Sequence, residues 1–279
     1  MAIQNLKSYQ YKDIFSVQTV SFENACIFNQ PEEVDTYSIY WIKEGQGSYH
    51  IDFKKYDFQD NVLFFLSPGQ VFSISSESVK QAYKISFVKD FYCIQTHDKA
   101  VACNGVLFNN VYETPFVQPY ESDTRKLIFI LESLIEEFQK NEVAQYDMLQ
   151  TYLKQFIILS VRIQKEQSEI KTDIETILFK DFSVLVEQNF KMIHSVADYA
   201  SRLGLSPKSL AKNFQRVGAE SPSDFIKNRI LLEAKRQLIY SNLPVKEIAY
   251  DLGFNDAAYF SRFFTKAVRK SPLQFKKEY

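Results

Sequence analysis

The chain has 279 residues, 25 of them Phe and 17 Tyr against 7 Gly and 8 Pro, which fits two packed domains and excludes a low-complexity or disordered chain. Its net charge of −1 conceals a division: residues 185–279 hold sixteen Lys/Arg and nine Asp/Glu (+7), and residues 1–184 hold seventeen and twenty-five (−8). The basic C-terminal third is suited to phosphate contact, whereas the acidic remainder is not suited to lie along DNA.

No run approaches the ~18 apolar residues of a membrane span, and the N-terminus lacks a signal-peptide pattern, so a cytoplasmic protein is expected. Residues 1–120 alternate short apolar runs with turn signals. The run 37–42 predicts a strand, with Lys43-Glu44-Gly45-Gln46-Gly47 as the turn after it. The run 48–53 predicts a second strand with Tyr49, Ile51 and Phe53 on one face, and 62–66 a buried one. Ser67-Pro68-Gly69-Gln70 then turns the chain into the run 71–74. Strands at this spacing predict an all-β sandwich or barrel. Barrel mouths are common ligand sites, and Trp41, Tyr49 and Phe72 are the aromatic residues that would line one, although rings at strand positions are more often core.

Catalysis finds no support. His50 alternates with Tyr49 and Ile51 and so turns from the apolar face, and His97 is remote in sequence. The chain's three histidines compose no metal site, and no Ser/His/Asp or Cys/His signature is present. Cys26, Cys93 and Cys103 lack metal-type spacing and are expected to be free thiols. A non-enzyme without metal or cofactor is expected.

From Ser122 the period changes. Leu127, Ile128, Leu131, Leu134, Ile135 and Phe138 lie at helical spacing, with Glu132, Glu136 and Glu137 towards water. Asn141 interrupts, and a second amphipathic helix is expected over about 146–164, carrying Leu149, Leu153, Phe156 and Ile157. One of the two packs on the barrel easily, which leaves much apolar surface on the other. Residues 164–169 read as a polar linker.

The densest signals lie beyond residue 169. Val245, Ile248, Ala249 and Leu252 define one helix face, Pro244 suits its first turn and Gly253 its stop. Asn255 is the expected N-cap of a second helix, with Asp256 near the positive end of its dipole. Phe260, Phe263 and Phe264 form that helix's buried stripe, and Ala257, Ala258, Ser261 and Arg262 face outward, as a helix entering a DNA groove requires. This is a helix-turn-helix. Residues 196–206 repeat residues 245–255 at an offset of 49, so a second unit precedes it. Its recognition helix is capped by Ser206, starts at Pro207 and turns Lys208, Ala211, Lys212 and Gln215 outward. Between the units, Ser221 and Asp224 approximate a capping box for a helix reaching about Tyr240, with Phe225, Ile226, Ile230, Leu231, Ala234 and Leu238 buried.

Arg262 is the first choice for a base contact, because a guanidinium bonds bidentately to guanine O6 and N7. Lys208 and Lys212 follow, as base or phosphate contacts. Ala257, Ala258 and Ser261 permit close approach, and Arg216, Arg269, Lys270, Lys276 and Lys277 are placed to hold phosphates.

The string Ile248-Ala249 … Leu252-Gly253-Phe254 … Tyr259-Phe260-Ser261-Arg262-Phe263-Phe264 … Ser271-Pro272 … Phe275 resembles the signature of AraC/XylS-type transcription regulators. The Glu44-Gly45-Gln46-Gly47 and Pro68-Gly69-Gln70 segments resemble, less specifically, the cupin-like jelly-roll sensor domain of that family. The resemblance implies a multidomain α+β chain: a cupin-like β sensor domain at 1–120, a helical dimerisation and linker region at 121–168, and at 169–279 an all-α DNA-binding domain with two helix-turn-helix units joined by a long helix. It also implies promoter DNA and RNA polymerase as partners, a homodimer, an activator rather than a repressor, and a small-molecule effector. Control by a protein partner, or a jelly-roll enzyme with an appended DNA-binding domain, are the alternatives. One departure stands out: the family usually has Gly before the Ser-Pro pair, and Ala267-Val268-Arg269-Lys270 offers none.

Overall fold

The computed structural model describes residues 5–21, 31–75, 79–92, 107–108, 116–140, 142–167 and 174–278. Cys26, Cys93, Cys103, His97, Asn141 and the last two residues of the expected linker, Ser168 and Glu169, lie outside the described residues. The chain divides into two compact units, Met1–Ile170 and Lys171–Tyr279.

The first unit is a two-sheet sandwich. Its strands are β1 (Asn5–Tyr11), β2 (Phe15–Ser21), β3 (Glu32–Glu33), β4 (Tyr37–Glu44), β5 (Gly47–Ile51), β6 (Lys54–Phe58), β7 (Val62–Leu66), β8 (Val71–Ser75), β9 (Gln81–Phe87) and β10 (Phe116–Val117). They form a six-stranded sheet in the order β1-β2-β9-β4-β7-β10 and a four-stranded sheet in the order β3-β8-β5-β6. Every pairing is antiparallel. Between the sheets Tyr40, Ile42, Phe64 and Leu66 meet Tyr49, Ile51, Phe58, Phe72 and Ile74 in one buried cluster. The expected strand over 48–53 is shorter, because Asp52, at φ 56, and Phe53 turn the chain into β6.

The other face of the larger sheet is covered by α1 (Glu121–Gln139) and α2 (Gln145–Gln167). Ile39, Trp41, Leu63, Phe65 and Ile85 meet Leu127, Leu131, Leu134, Leu153 and Phe156 there. Asn61 fastens the edge: it accepts from Trp41 Nε1 (3.1 Å) and donates to Pro119 O (2.8 Å) and Thr124 Oγ1 (2.6 Å). Two expectations need correction here. Glu137 is buried at 5% exposure and pairs with Lys140 at 3.7 Å, instead of facing water. The polar run after Gln164 continues α2 as far as Gln167, since Lys, Glu and Gln are good helix formers.

The second unit is all helix: α3 (Ile174–Asn189), α4 (Val196–Arg202), α5 (Pro207–Arg216), α6 (Pro222–Tyr240), α7 (Val245–Asp251), α8 (Ala257–Val268) and α9 (Pro272–Glu278). Its core is a series of rings. Phe182 lies 4.8 Å from Phe214 and 5.4 Å from Phe225, and Phe254 lies 5.3 Å from Phe260. Phe264 meets Phe275 at 5.5 Å. The stripe expected for α6 is buried as read, from Phe225 to Leu238.

Candidate nucleic-acid interface

The turns of the two helical hairpins are built alike. In α4–α5, Gly204, at φ 69, donates to Ser201 O (3.0 Å) and Leu205 to Ala200 O (2.9 Å). In α7–α8, Gly253, at φ 78, donates to Tyr250 O (3.0 Å) and Phe254 to Ala249 O (2.9 Å). This pair of bonds satisfies the last carbonyls of each first helix and turns the chain into the second. Gly253 has a further duty: a Cβ there would sit 2.0 Å from the carbonyl oxygen of Lys191. Around the same turn Lys191 Nζ reaches Asp251 Oδ2 (2.7 Å), and the His194 ring bonds Leu252 O through Nε2 (2.9 Å).

Each recognition helix is capped from its own sequence. Ser206 accepts from Ser209 N (3.1 Å), with Pro207 in the first turn of α5. The cap of α8 is Asp256 rather than Asn255: its carboxylate accepts from Ala258 N (2.9 Å) and Tyr259 N (3.2 Å). Pro244 likewise stands one place earlier than expected, as the cap of α7. A side-chain cap contributes about 1 kcal/mol. Ser221 caps α6 by accepting from Asp224 N (3.2 Å) while its hydroxyl donates to Asp224 Oδ2 (2.7 Å).

The outward faces follow. On α5, Leu210, Asn213 and Phe214 are buried, and Lys208, Ala211, Lys212, Gln215 and Arg216 are exposed together. On α8, Phe260 and Phe264 are buried and Phe263 half-buried, while Ala258 and Arg262 are exposed and Ala257 and Ser261 half-exposed. The Ser261 hydroxyl donates back to Ala257 O (2.9 Å). The Arg262 side chain is 69% exposed, with its guanidinium 3.9 Å from Asp256 and 5.9 Å above the Tyr259 ring. Sequence reasoning passed over Tyr259, which is 57% exposed, and Lys266, also exposed. Their positions three before and four after Arg262 place them on its face of the helix.

With no glycine before Ser271-Pro272, Arg269 closes the helix. It adopts the left-handed conformation a glycine would take, φ 65 and ψ 14, and its N–H closes α8 onto Thr265 O (2.8 Å). Ser271 and Gln274 then start α9 with a reciprocal capping box.

Helix α6 joins the units and carries a buried charge cluster that the sequence did not announce. Arg229, 4% exposed, bonds Glu187 with Nε (2.6 Å) and Nη2 (2.8 Å), reaches Glu233 with Nη1 (3.2 Å) and lies 3.8 Å over the Phe190 ring. Burial works against the charge on Arg229, but Glu187 and Glu233 hold its pKa above the ordinary value. Burial likewise works against Glu233, and Arg229 and Arg236 hold its pKa below the usual carboxylate range.

The three residues expected to line an effector pocket are not brought together. Tyr49 and Phe72 lie between the sheets, whereas Trp41 points into the cluster under the helices. Strand alternation is the reason: Tyr40 and Ile42 take the inner face of β4, which leaves Ile39 and Trp41 on the outer one.

Two capped recognition helices with polar outer faces, repeated on one linking helix and set in a basic domain, define a DNA-binding protein with a separate β-domain. Residues 199–278 match the family described as a helix-turn-helix domain, and residues 27–88 match the AraC-like ligand binding domain. The HTH-type transcriptional regulator YfiF of Bacillus subtilis (strain 168) is 22% identical over 249 residues, 87% of this chain and 77% of its own length. The HTH-type transcriptional activator RhaS of Yersinia pestis is 26% identical over 153 residues, 54% of either chain. A structure of ToxT from Vibrio cholerae aligns over 97% of this chain and 98% of its own, at 18% identity and a TM-score of 0.43. The chain is a DNA-binding transcription regulator of the AraC family, with an N-terminal ligand-binding domain.

Proposed function

We propose that the chain activates transcription by placing α5 and α8 in successive major-groove segments of promoter DNA, under the control of a small molecule bound by the N-terminal unit. The observation that carries this reading is the repeated hairpin geometry at the two ends of α6. At 1.5 Å per residue a helix of 19 residues spans about 28 Å, close to the ~34 Å between successive major grooves on one DNA face. Arg262 reads a base, Lys208 and Lys212 reach bases or phosphates, and Ala211, Gln215, Ala257, Ala258 and Ser261 form the approach surface. Arg216 and Arg269 hold phosphates.

Residues 1–120 serve as the sensor, 121–168 as the dimerisation and linker region, and 169–279 as the DNA-binding domain. Phe129, 70% exposed on α1, and Met148, 38% exposed on α2, are apolar surface of the kind a homodimer would cover. RNA polymerase is the partner an activator requires, and the cytoplasm its compartment.

Selection of bound sequences from random duplex DNA, with the full chain at fixed salt, tests the reading. Two enriched blocks about 10 base pairs apart are expected. On the selected site Arg262→Ala should cost about 1–3 kcal/mol and relax preference at one base pair. A single short block, or unchanged selectivity in the variant, would count against the two-unit reading.

A further inference from the structure

Between the two sheets the described aromatic rings pack closely. Tyr49 lies 4.0 Å from Phe64 and Tyr40 4.5 Å from Phe72, ring centre to ring centre, and all four are buried. The opposite face of the larger sheet is different. Pairing register places Lys7, Thr19, Tyr83 and Trp41 in one row across β1, β2, β9 and β4. At the Trp41 end the row is core; at the Lys7 end it opens into a cleft of about 430 Å³. Ligand clefts commonly measure about 300–1,000 Å³.

The walls differ in chemistry. Helix α1 contributes Ile128, Leu131, Glu132 and Ile135, at i, i+3, i+4 and i+7, so three aliphatic side chains and one carboxylate share a face. Strands β1 and β9 oppose them with Tyr9 and Tyr83. Lys7 stands on the sheet wall and Glu132 on the helix wall, both exposed, and neither belongs to an ion pair among the described residues. Gln81 Nε2 donates to the Tyr83 hydroxyl (2.6 Å), and burial, with Glu132 and Glu44, raises the Tyr83 pKa and keeps the phenol protonated as a donor.

A purely anionic ligand would be repelled by Glu132 and a purely cationic one by Lys7, whereas a ligand carrying both charges satisfies both walls. We propose that a small zwitterion with an apolar side group, of the α-amino-acid class, binds in this cleft. Its carboxylate lies at Lys7 and Tyr83, its ammonium at Glu132, and its side group between the tyrosine rings and Ile128, Leu131 and Ile135. The assignment rests on the reading of the N-terminal unit as the sensor and places that function outside the sandwich interior.

The test measures melting shift and calorimetric affinity of the full chain with each apolar and aromatic L-α-amino acid. The deaminated acid and the decarboxylated amine of each serve as controls. At least one amino acid should bind, with both singly charged analogues weaker by about tenfold or more. Lys7→Gln and Glu132→Gln should each weaken binding by a similar factor while leaving the unliganded melting temperature unchanged, since both side chains are exposed. No binding by any of these amino acids, or binding that survives both substitutions, would overturn the cleft. A ligand that binds with the expected dependence but leaves affinity for the selected DNA unchanged would uphold the cleft and refute effector control.

Discussion

The two equivalent glycines, Gly204 and Gly253, let one contact be isolated from the backbone strain it accompanies. Alanine at either must hold a left-handed backbone, φ 69 or 78. That costs an L-residue about 1–2 kcal/mol, offset by about 0.4–1 kcal/mol through the narrower unfolded ensemble. At Gly204 nothing lies within 4 Å of the new Cβ, so Gly204→Ala should cost only the net backbone term, about 1 kcal/mol. At Gly253 the same atom would sit 2.0 Å from Lys191 O and 3.1 Å from its carbonyl carbon, both backbone, so the turn must move. Overpacking of this kind adds about 1–3 kcal/mol, giving about 2–4 kcal/mol for Gly253→Ala. Urea unfolding of the full chain, followed by far-ultraviolet circular dichroism, measures both variants, with equal denaturant slopes as the check that only stability changed. Equal losses at the two positions would refute the claim that the second turn is pressed against the segment after α3.

Three further outcomes are expected. Arg229→Met leaves Glu187 and Glu233 without their shared guanidinium and should cost about 3–5 kcal/mol; adding Glu187→Leu should recover part of it, measured as the coupling in a double-mutant cycle. Arg269→Gly removes the left-handed strain at the end of α8 and should stabilise the chain by about 0.5–1 kcal/mol, while a titration of DNA affinity against salt should show a slope smaller by about one. Burial holds His194 below its usual 6.5, against the carbonyls of Leu252 and Phe190 that pull it up, so the folded unit prefers the neutral ring. Its contribution is complete above about pH 6.5 and is lost as pH falls below that value, and His194→Asn should flatten the decline in a melting series taken down to about pH 5.

What could be read from the sequence was local. Ser206-Pro207, Ser221 and Gly253 act within one turn of where they stand, and the offset repeat betrays the second unit without any structure. Asn255 and Asp256 are both good caps in sequence; the choice falls to Asp256, whose extended backbone, φ −140, lets one carboxylate reach two N–H groups. The sandwich was less legible, because β9 pairs with β2 some seventy residues away and with β4 some fifty away, and no short window contains both sides. For the same reason Trp41 was grouped with Tyr49 and Phe72, although the two faces of β4 separate them. Charge misled in a second way. Glu137 read as water-facing because charged side chains usually are, and nothing in the sequence marked Arg229 for burial; only a partner from another turn or helix makes either burial tolerable.

The buried cluster bears on how the two hairpins are held in one frame. Arg229 clamps α6 to Glu187 of α3, and α3 also supplies Phe182 to the core of the first hairpin. The residues directly after α3, Lys191 and His194, fasten the turn of the second hairpin through Gly253, Asp251 and Leu252. Gln237 of α6 reaches the same Asp251 at 2.6 Å. Both recognition helices are therefore referred to a single frame of α3 and α6, and their relative phase is fixed by the length of α6. One residue more in that helix would advance α7 and α8 by about 1.5 Å but rotate them by about 100°, so phase is far more sensitive than spacing. A frame held by a buried, bidentate ion pair suits that demand, because the pair forms only in one register of α6 against α3, whereas aliphatic packing alone would tolerate a slip.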